Sequence, residues 1–126
     1  VADTEALLKA EQTLVLDVWE REPEIDLTLL EKTFISTPHI AGYSAQGKAN
    51  ASAMAVRAAA QHFSLPLEDW YPSCVMPVLR RDISWEQMVQ SIGLRCDLGR
   101  ESLMLKSHPE EFEHLRNNYS YREEYF

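Results

Sequence analysis

The sequence predicts an α/β fold, in which parallel strands alternate with helices. Residues 14–19 and 33–37 are short apolar segments, and residues 27–32 between them carry helix signals. A strand, a helix and a second strand in succession form the βαβ unit of a doubly wound sheet, because parallel strands need a crossover connection. The alanine-rich residues 45–63 then predict a long helix, since alanine has the highest helix propensity.

Composition narrows the class of protein. The 126 residues are 45% apolar and 25% charged, as in ordinary globular proteins, and we expect no membrane span. A net charge of −8 argues against nucleic acid, whose binding needs clustered cationic side chains. Cys74 and Cys96 lack metal-site spacing, so we expect no metal and favour a reducing, cytoplasmic setting. A start at Val1 without methionine predicts a fragment.

Capping and breaker residues define the first elements in order. Residues 3–10 have the N-cap and apolar spacing of a short helix, and residues 14–19 are nearly continuous in apolar residues, as in a strand buried on both faces. Asp26 is placed to cap the helical turn at residues 27–32. Residues 33–37 form the second predicted strand, because the proline that follows removes a backbone donor.

A cluster of prolines marks a boundary after the long helix. Pro66, Pro72 and Pro77 follow in quick succession, and prolines interrupt regular structure. We therefore expect two domains, residues 1–65 and residues 66–126.

The second domain is predicted to hold one edge strand and short helices. Residues 75–79 are assigned to an edge strand, because such a strand tolerates its proline. The Ser-x-x-Gln spacing at residues 84–87 is a capping box that opens a helix, which we expect to end at Gly93. Residues 98–106 predict a further helix, and Ser-x-x-Glu at residues 107–110 a last one.

Polar residues follow both predicted strands, where α/β sheets bind ligands. Asp17 interrupts the first strand towards its end, Glu22 follows that strand, and His39 follows the second. Because imidazole titrates near neutral pH, His39 can accept the proton of an alcohol as hydride leaves the same carbon, and Glu22 can orient the ring. Gly42 permits close approach of a ligand, and Tyr43 offers a hydroxyl donor.

Taken alone, each of these residues is more simply interpreted as structural than as catalytic. A histidine after a proline is usually a loop residue, and a Glu-Pro pair in a charged segment is usually solvated surface. The two segments in order indicate more: Asp-Val-x-x-x-Glu-Pro at residues 17–23 precedes Thr-Pro-His-Ile-Ala-Gly at residues 37–42. This order resembles the D-isomer-specific 2-hydroxyacid dehydrogenases.

One branch of that family is similar over more of the chain. The similarity includes Trp19, the Gly-Tyr-Ser at residues 42–44, and the Phe-x-x-Leu-Arg-x-x-Tyr at residues 112–119. This branch oxidises the 2-hydroxyl of 4-phospho-D-erythronate in vitamin B6 (pyridoxal phosphate) biosynthesis. The alternatives left open are a related dehydrogenase, such as one for 3-phosphoglycerate, and a dimerisation module without activity.

The resemblance implies a role for each candidate residue. His39 would be the acid/base and Glu22 its orienting partner. Asp17 would contact the nicotinamide end of NAD, and Gly42 would contribute a backbone contact on the cofactor side. Tyr43 would contact the substrate. In the family, a catalytic arginine and a glycine-rich dinucleotide loop come earlier in the chain than any residue here, so the fragment alone is predicted to be inactive.

The resemblance also implies an architecture and partners. Residues 1–65 would end a Rossmann-type NAD-binding domain, and residues 66–126 would be a small α+β dimerisation domain of a homodimer. A private core for the aromatic residues of that domain is the alternative. The substrate would be a small phosphorylated 2-hydroxy acid, with Arg100 as a contact to its phosphate, unless Arg100 is an ordinary surface arginine.

Overall fold

The computed structural model of the protein describes residues 3–78, 82–122 and 124. Their helices and strands, in chain order, are α1 (Thr4–Lys9), β1 (Val15–Leu16), α2 (Leu27–Lys32), β2 (Ile35–Ser36), α3 (Ala45–Phe63), α4 (Trp85–Arg95), α5 (Leu98–Ser107), a 3₁₀ turn (Pro109–Glu111) and α6 (Phe112–Asn117). This combination of helices with a two-stranded parallel sheet confirms a mixed α/β fold.

The strands pair in parallel around α2. Val15 lies opposite Ile35 in the register, and the backbone N–H of Thr37 extends the ladder by donating to the carbonyl oxygen of Leu16 at 2.9 Å. The predicted strand–helix–strand order is therefore confirmed. Both strands are shorter than predicted, because each has a single pairing partner within the described residues.

Within this chain the first strand is not covered on both faces, so its burial on both faces stays a prediction. Val15 is 62% exposed, and Phe34, just before β2, is 70% exposed. Ser36 of β2 is fully buried. A nearly continuous apolar segment is typical of a strand covered on both sides, but the part of the chain described here leaves Val15 and Phe34 largely uncovered.

Two compact units emerge from the contacts within the chain. The first comprises Val1–Ala41 and Cys96–Ser120, and the second comprises Gly42–Arg95 and Tyr121–Phe126. These units describe packing within this chain alone, and the domain boundary near residue 65 stays a prediction.

The apolar core of the first unit joins its helices to the sheet. Its buried members are Leu14, Trp19, Ile25, Leu29, Leu30, Leu105 and Phe112. They come from both sides of a long gap in the sequence, so the first and last thirds of the chain share one core. Asp26 caps α2 as predicted, because its carboxylate accepts a hydrogen bond from the N–H of Leu29 at 2.8 Å.

A buried polar contact attaches α5 to the second strand. The hydroxyl oxygen of Ser102 accepts the backbone N–H of Ser36 at 3.1 Å, and the two hydroxyls lie 3.0 Å apart. Lys106 also donates to the carbonyl oxygen of Thr33. Since α6 follows α5 after one short turn, these contacts also determine where α6 lies.

The second unit is built on α3, whose bounds match the predicted residues 45–63. Ser44 caps its first turn by accepting the N–H of Gly47 at 2.8 Å. Ser64 ends it in the left-handed conformation, with φ of 53°. The buried face carries Ala49, Ala53 and Ala60, whose small side chains permit close packing.

The structure corrects three predictions about the later elements. Gly93 does not end a helix: α4 continues to Arg95, since an isolated glycine is tolerated in a helix at about 1 kcal/mol. Residues 75–78 form no strand, and Leu79 lies outside the described residues. The capping box at residues 107–110 does not form, because Ser107 is the last residue of α5 and the 3₁₀ turn has no side-chain cap.

Other capping predictions are confirmed. Ser84 and Gln87 form the reciprocal capping box, with 2.9 Å from the N–H of Ser84 to the amide oxygen of Gln87 and 3.3 Å for the return bond. Asp97 caps α5 by accepting the N–H of Arg100 at 3.0 Å. Among the described residues, no helix has the length and apolar character needed to cross a membrane. The same residues contain no group of three or more His, Cys, Asp or Glu side chains arranged to hold a metal ion.

Candidate active site

His39 and Glu22 form the centre of the candidate active site. Nδ1 of His39 lies 2.8 Å from Oε2 of Glu22. The His39 side chain is 46% exposed, whereas the Glu22 side chain is 14% exposed. A partly buried carboxylate therefore orients an imidazole that stays accessible. With Nδ1 held by a carboxylate, the opposite ring nitrogen, Nε2, is the atom that can exchange a proton with a ligand.

Trp19 ties the two segments of the site together. Its indole N–H donates to the carbonyl oxygen of Thr37 at 2.9 Å, two residues before His39. Its backbone N–H donates to Oε1 of Glu22 at 2.7 Å. The indole is 3% exposed and belongs to the apolar core. Trp19 thus links the core to Glu22 and to the segment that precedes His39.

Asp17 holds the loop that carries His39. Its Oδ1 accepts the hydroxyl of Thr37 and the N–H of Ile40, both at 2.7 Å, and its Oδ2 accepts the N–H of Ala41 at 3.1 Å. His39 itself has φ of 58°, a left-handed conformation that a non-glycine residue adopts at a cost of roughly 1–2 kcal/mol. Hydrogen bonds on both sides of His39 hold the backbone in this conformation.

Replacing Asp17 by asparagine is expected to destabilise the chain by about 1–3 kcal/mol, because an amide NH₂ would then face a backbone N–H of the loop. Thermal unfolding of the variant measures this loss. Asp3→Asn is the matched control: Asp3 accepts one hydrogen bond at the start of α1, at 2.8 Å, and asparagine caps helices as well as aspartate does. Equal stability of the two variants would contradict this role of Asp17.

Gly42 and Tyr43 lie in the second compact unit. A Cβ atom added at Gly42 would meet no atom within 4 Å, so the backbone there faces open space. The Nζ atom of Lys48 lies 4.1 Å from the ring centroid of Tyr43, and the ring of Tyr121 packs edge-on at 5.7 Å. The proposed ligand contacts of Gly42 and Tyr43 stay predictions.

Arg100 lies on the exposed side of the first turn of α5. Two carboxylates are its charged neighbours. Partial burial raises the pKa of Glu101, the positive charge of Arg100 opposes that rise, and the negative charge of Asp97 adds to it. Arg100 is exposed, and its proposed phosphate contact stays a prediction.

The sequence analysis missed Arg116 as a member of the site. In the structure, NH1 of Arg116 lies 3.5 Å from Oε2 of Glu22, although 94 residues separate the two in the chain. The sequence analysis placed Arg116 in a predicted helix and in the Phe-x-x-Leu-Arg-x-x-Tyr pattern at residues 112–119, but gave it no role in the site. No local pattern links α6 to the segment after β1, so only the assembled core could reveal this contact.

Curated relatives match the chain along nearly its whole length. The chain is 44% identical over 129 residues to the erythronate-4-phosphate dehydrogenase of Bacteroides fragilis, a match that covers 98% of the chain. It is 43% identical over 131 residues to that of Bacteroides thetaiotaomicron, and 37% identical over 133 residues to that of Coxiella burnetii. The chain is a homologue of erythronate-4-phosphate dehydrogenases.

The homology confirms the branch that the sequence motifs indicated. The chain spans 36% of the length of these erythronate-4-phosphate dehydrogenases. No family model matches it.

Proposed function

We propose that this chain supplies the acid/base part of an NAD-dependent dehydrogenase that oxidises the 2-hydroxyl of 4-phospho-D-erythronate in pyridoxal phosphate biosynthesis. The observation that carries the proposal is the pair formed by His39 and Glu22, at 2.8 Å. It occurs in a chain 44% identical to an erythronate-4-phosphate dehydrogenase. A general base beside a hydroxyl is the group that alcohol oxidation needs from the protein.

In the oxidation direction, Nε2 of His39 accepts the proton of the 2-hydroxyl. The C–H electron pair of the same carbon leaves as hydride, and the product is a 2-oxo acid. NAD, when bound, supplies the hydride acceptor. Glu22 holds Nδ1–H throughout and stabilises the imidazolium that forms. In the reverse direction the same ring returns the proton.

Asp17 and Gly42, the residues proposed to contact the cofactor, are both able to do so. Among the residues that the structure describes, three donors bind the Asp17 carboxylate, and a carboxylate offers about four acceptor positions. One position on Oδ2 is thus left for an amide such as that of nicotinamide. Gly42 adjoins open space. We propose that residues outside this sequence supply the dinucleotide loop and the catalytic arginine.

A Rossmann-type sheet that continues beyond this chain is part of the proposal. The support is the exposure of two residues at the strands, Val15 at 62% and Phe34 at 70%. Parallel sheets are normally covered on both faces. Further strands and helices from the rest of the enzyme would bury these side chains.

The test is an assay of the full-length protein that contains this sequence, with NAD and 4-phospho-D-erythronate. We expect NADH to form, and we expect the 126-residue chain alone to give none. NADP and 3-phosphoglycerate are the comparison cofactor and substrate. Faster turnover of 3-phosphoglycerate would favour the related dehydrogenase, and the absence of turnover with either substrate would contradict the proposal.

We also propose that the enzyme is a cytoplasmic homodimer. Large apolar side chains of the second unit support self-association: Met54, Phe63, Trp85 and Leu94 are 71%, 67%, 70% and 87% exposed. Cys74 and Cys96 form no disulfide, which suits a reducing compartment. Analytical ultracentrifugation of the full-length protein tests the dimer. A monomer at micromolar concentration would contradict it and would leave the exposed aromatic residues without a partner.

A further inference from the structure

We propose that Arg116 is a positioning residue for the acid/base pair, an inference that rests on the proposed function. Arg116 lies 3.5 Å from Oε2 of Glu22, the oxygen that also binds His39. It would act through Glu22, whose orientation sets the direction of the imidazole.

The contacts of Glu22 leave its carboxylate little freedom to rotate. Oε1 accepts the backbone N–H of Trp19 at 2.7 Å. Oε2 faces two groups, the His39 imidazole at 2.8 Å and the Arg116 guanidinium at 3.5 Å. Without the guanidinium, the ring would be the one remaining side-chain partner of Oε2 among the described residues. The Arg116 guanidinium therefore helps to hold Oε2 of Glu22, the oxygen that orients the His39 imidazole.

The position of Arg116 is determined by the core and not by the site. Phe112, at the start of α6, is 0% exposed and anchors the helix in the apolar core. Arg116 is one helical turn further on, with its guanidinium 5.9 Å from the ring centroid of Phe112. Helix α6, held in the core by Phe112, therefore places the guanidinium of Arg116 next to Glu22. Preorganised sites hold functional groups on rigid elements in this way.

Arg116 has a second carboxylate partner, and burial distinguishes the two. Glu113 lies 3.8 Å away with its side chain 62% exposed, whereas the Glu22 side chain is 14% exposed. Water screens an exposed ion pair strongly and a buried one weakly. The contact with Glu22 is therefore the stronger one, and Glu113 provides a matched control on the same guanidinium.

The first experiment replaces Arg116 in the full-length enzyme. We expect Arg116→Gln to lower kcat by about tenfold, with KM for NAD and for substrate within about twofold, because a misaligned base slows the chemical step. Arg116→Lys keeps the positive charge and should recover most of the loss. Glu113→Gln should leave kcat unchanged. A kcat of Arg116→Gln within about twofold of wild type would overturn the proposal.

A double-mutant cycle shows whether Arg116 acts through Glu22. In the Glu22→Gln background, the further change Arg116→Gln should have no effect on kcat, since its target has been removed. An equal loss in both backgrounds would overturn the proposal and assign Arg116 a general structural role. Should Arg116→Gln fail to fold, as judged by circular dichroism, the same cycle run with Arg116→Met decides, because methionine removes the charge and keeps an apolar stem against the ring of Phe112.

A readout independent of activity separates this proposal from the proposed function. In ¹⁵N-histidine NMR spectra of the full-length protein, Arg116→Gln should move the Nδ1 resonance of His39, and Glu113→Gln should not. Movement of this resonance in an inactive protein would support the positioning role while the proposed function fails. An unmoved resonance in an active enzyme would overturn the positioning role alone.

Discussion

Replacing His39 by asparagine should lower kcat/KM of the full-length enzyme by about a thousandfold, because the proposed base for the hydroxyl proton is lost. Asparagine is the informative substitute. His39 has φ of 58°, and asparagine adopts the left-handed region more readily than most residues. The loop should therefore keep its conformation. The His39 side chain is 46% exposed, so we expect the midpoint of thermal unfolding to change little.

The matched control is a second histidine–glutamate pair on the surface. Nδ1 of His108 lies 3.4 Å from Glu110, and both side chains are more than half exposed, at 61% and 69%. His108→Asn removes the same chemical group without touching the site, and we expect kcat/KM to stay within about twofold of wild type. Substantial activity of His39→Asn, or equal losses in the two variants, would show that His39 is not the acid/base.

Truncating Phe112 to alanine should destabilise the chain by about 3–5 kcal/mol, the usual loss for a buried phenylalanine. Phe112 is 0% exposed and belongs to the core of the first unit, together with Leu105 of α5. A globular domain is stable by only about 5–15 kcal/mol. The variant should therefore unfold at a much lower temperature, or at a lower urea concentration, than the wild-type chain.

Phe63→Ala is the control for this truncation, since it removes the same atoms from a side chain that is 67% exposed. We expect a loss of less than about 1 kcal/mol there. Equal losses in the two variants would contradict the assignment of Phe112 to the core. Phe112→Ala should also lower the activity of the full-length enzyme, because α6 carries Arg116 to Glu22.

The capping residues show how much of the fold is predictable. The predicted caps Asp26 and Asp97 both accept the helix N–H groups assigned to them, and α3 has the predicted bounds. Caps are predictable because a side chain and an N–H three residues away interact wherever the helix lies. The failures at Gly93 and Ser107 have the same origin: a local signal permits a helix to end or to begin at a residue but does not require it, and α4 continues past Gly93 while α5 extends to Ser107.

Strand burial was less predictable than strand order. The apolar run at residues 14–19 correctly predicted a strand with a parallel partner. A nearly continuous apolar run could not show which side chains are covered, because the covering elements are distant in sequence. Val15 is consequently exposed although its segment reads as a buried strand.

For the site, residue chemistry and order were enough to identify the segments at residues 17–23 and 37–42, and with them His39 and Glu22 as partners. Those segments lie close in sequence and follow paired strands, so their meeting follows from the βαβ order. Two features required the folded chain. Asp17 binds three donors of the His39 loop, and Arg116 reaches Glu22 from 94 residues away. Such contacts depend on how the core places whole helices and loops, and no short stretch of sequence contains that information.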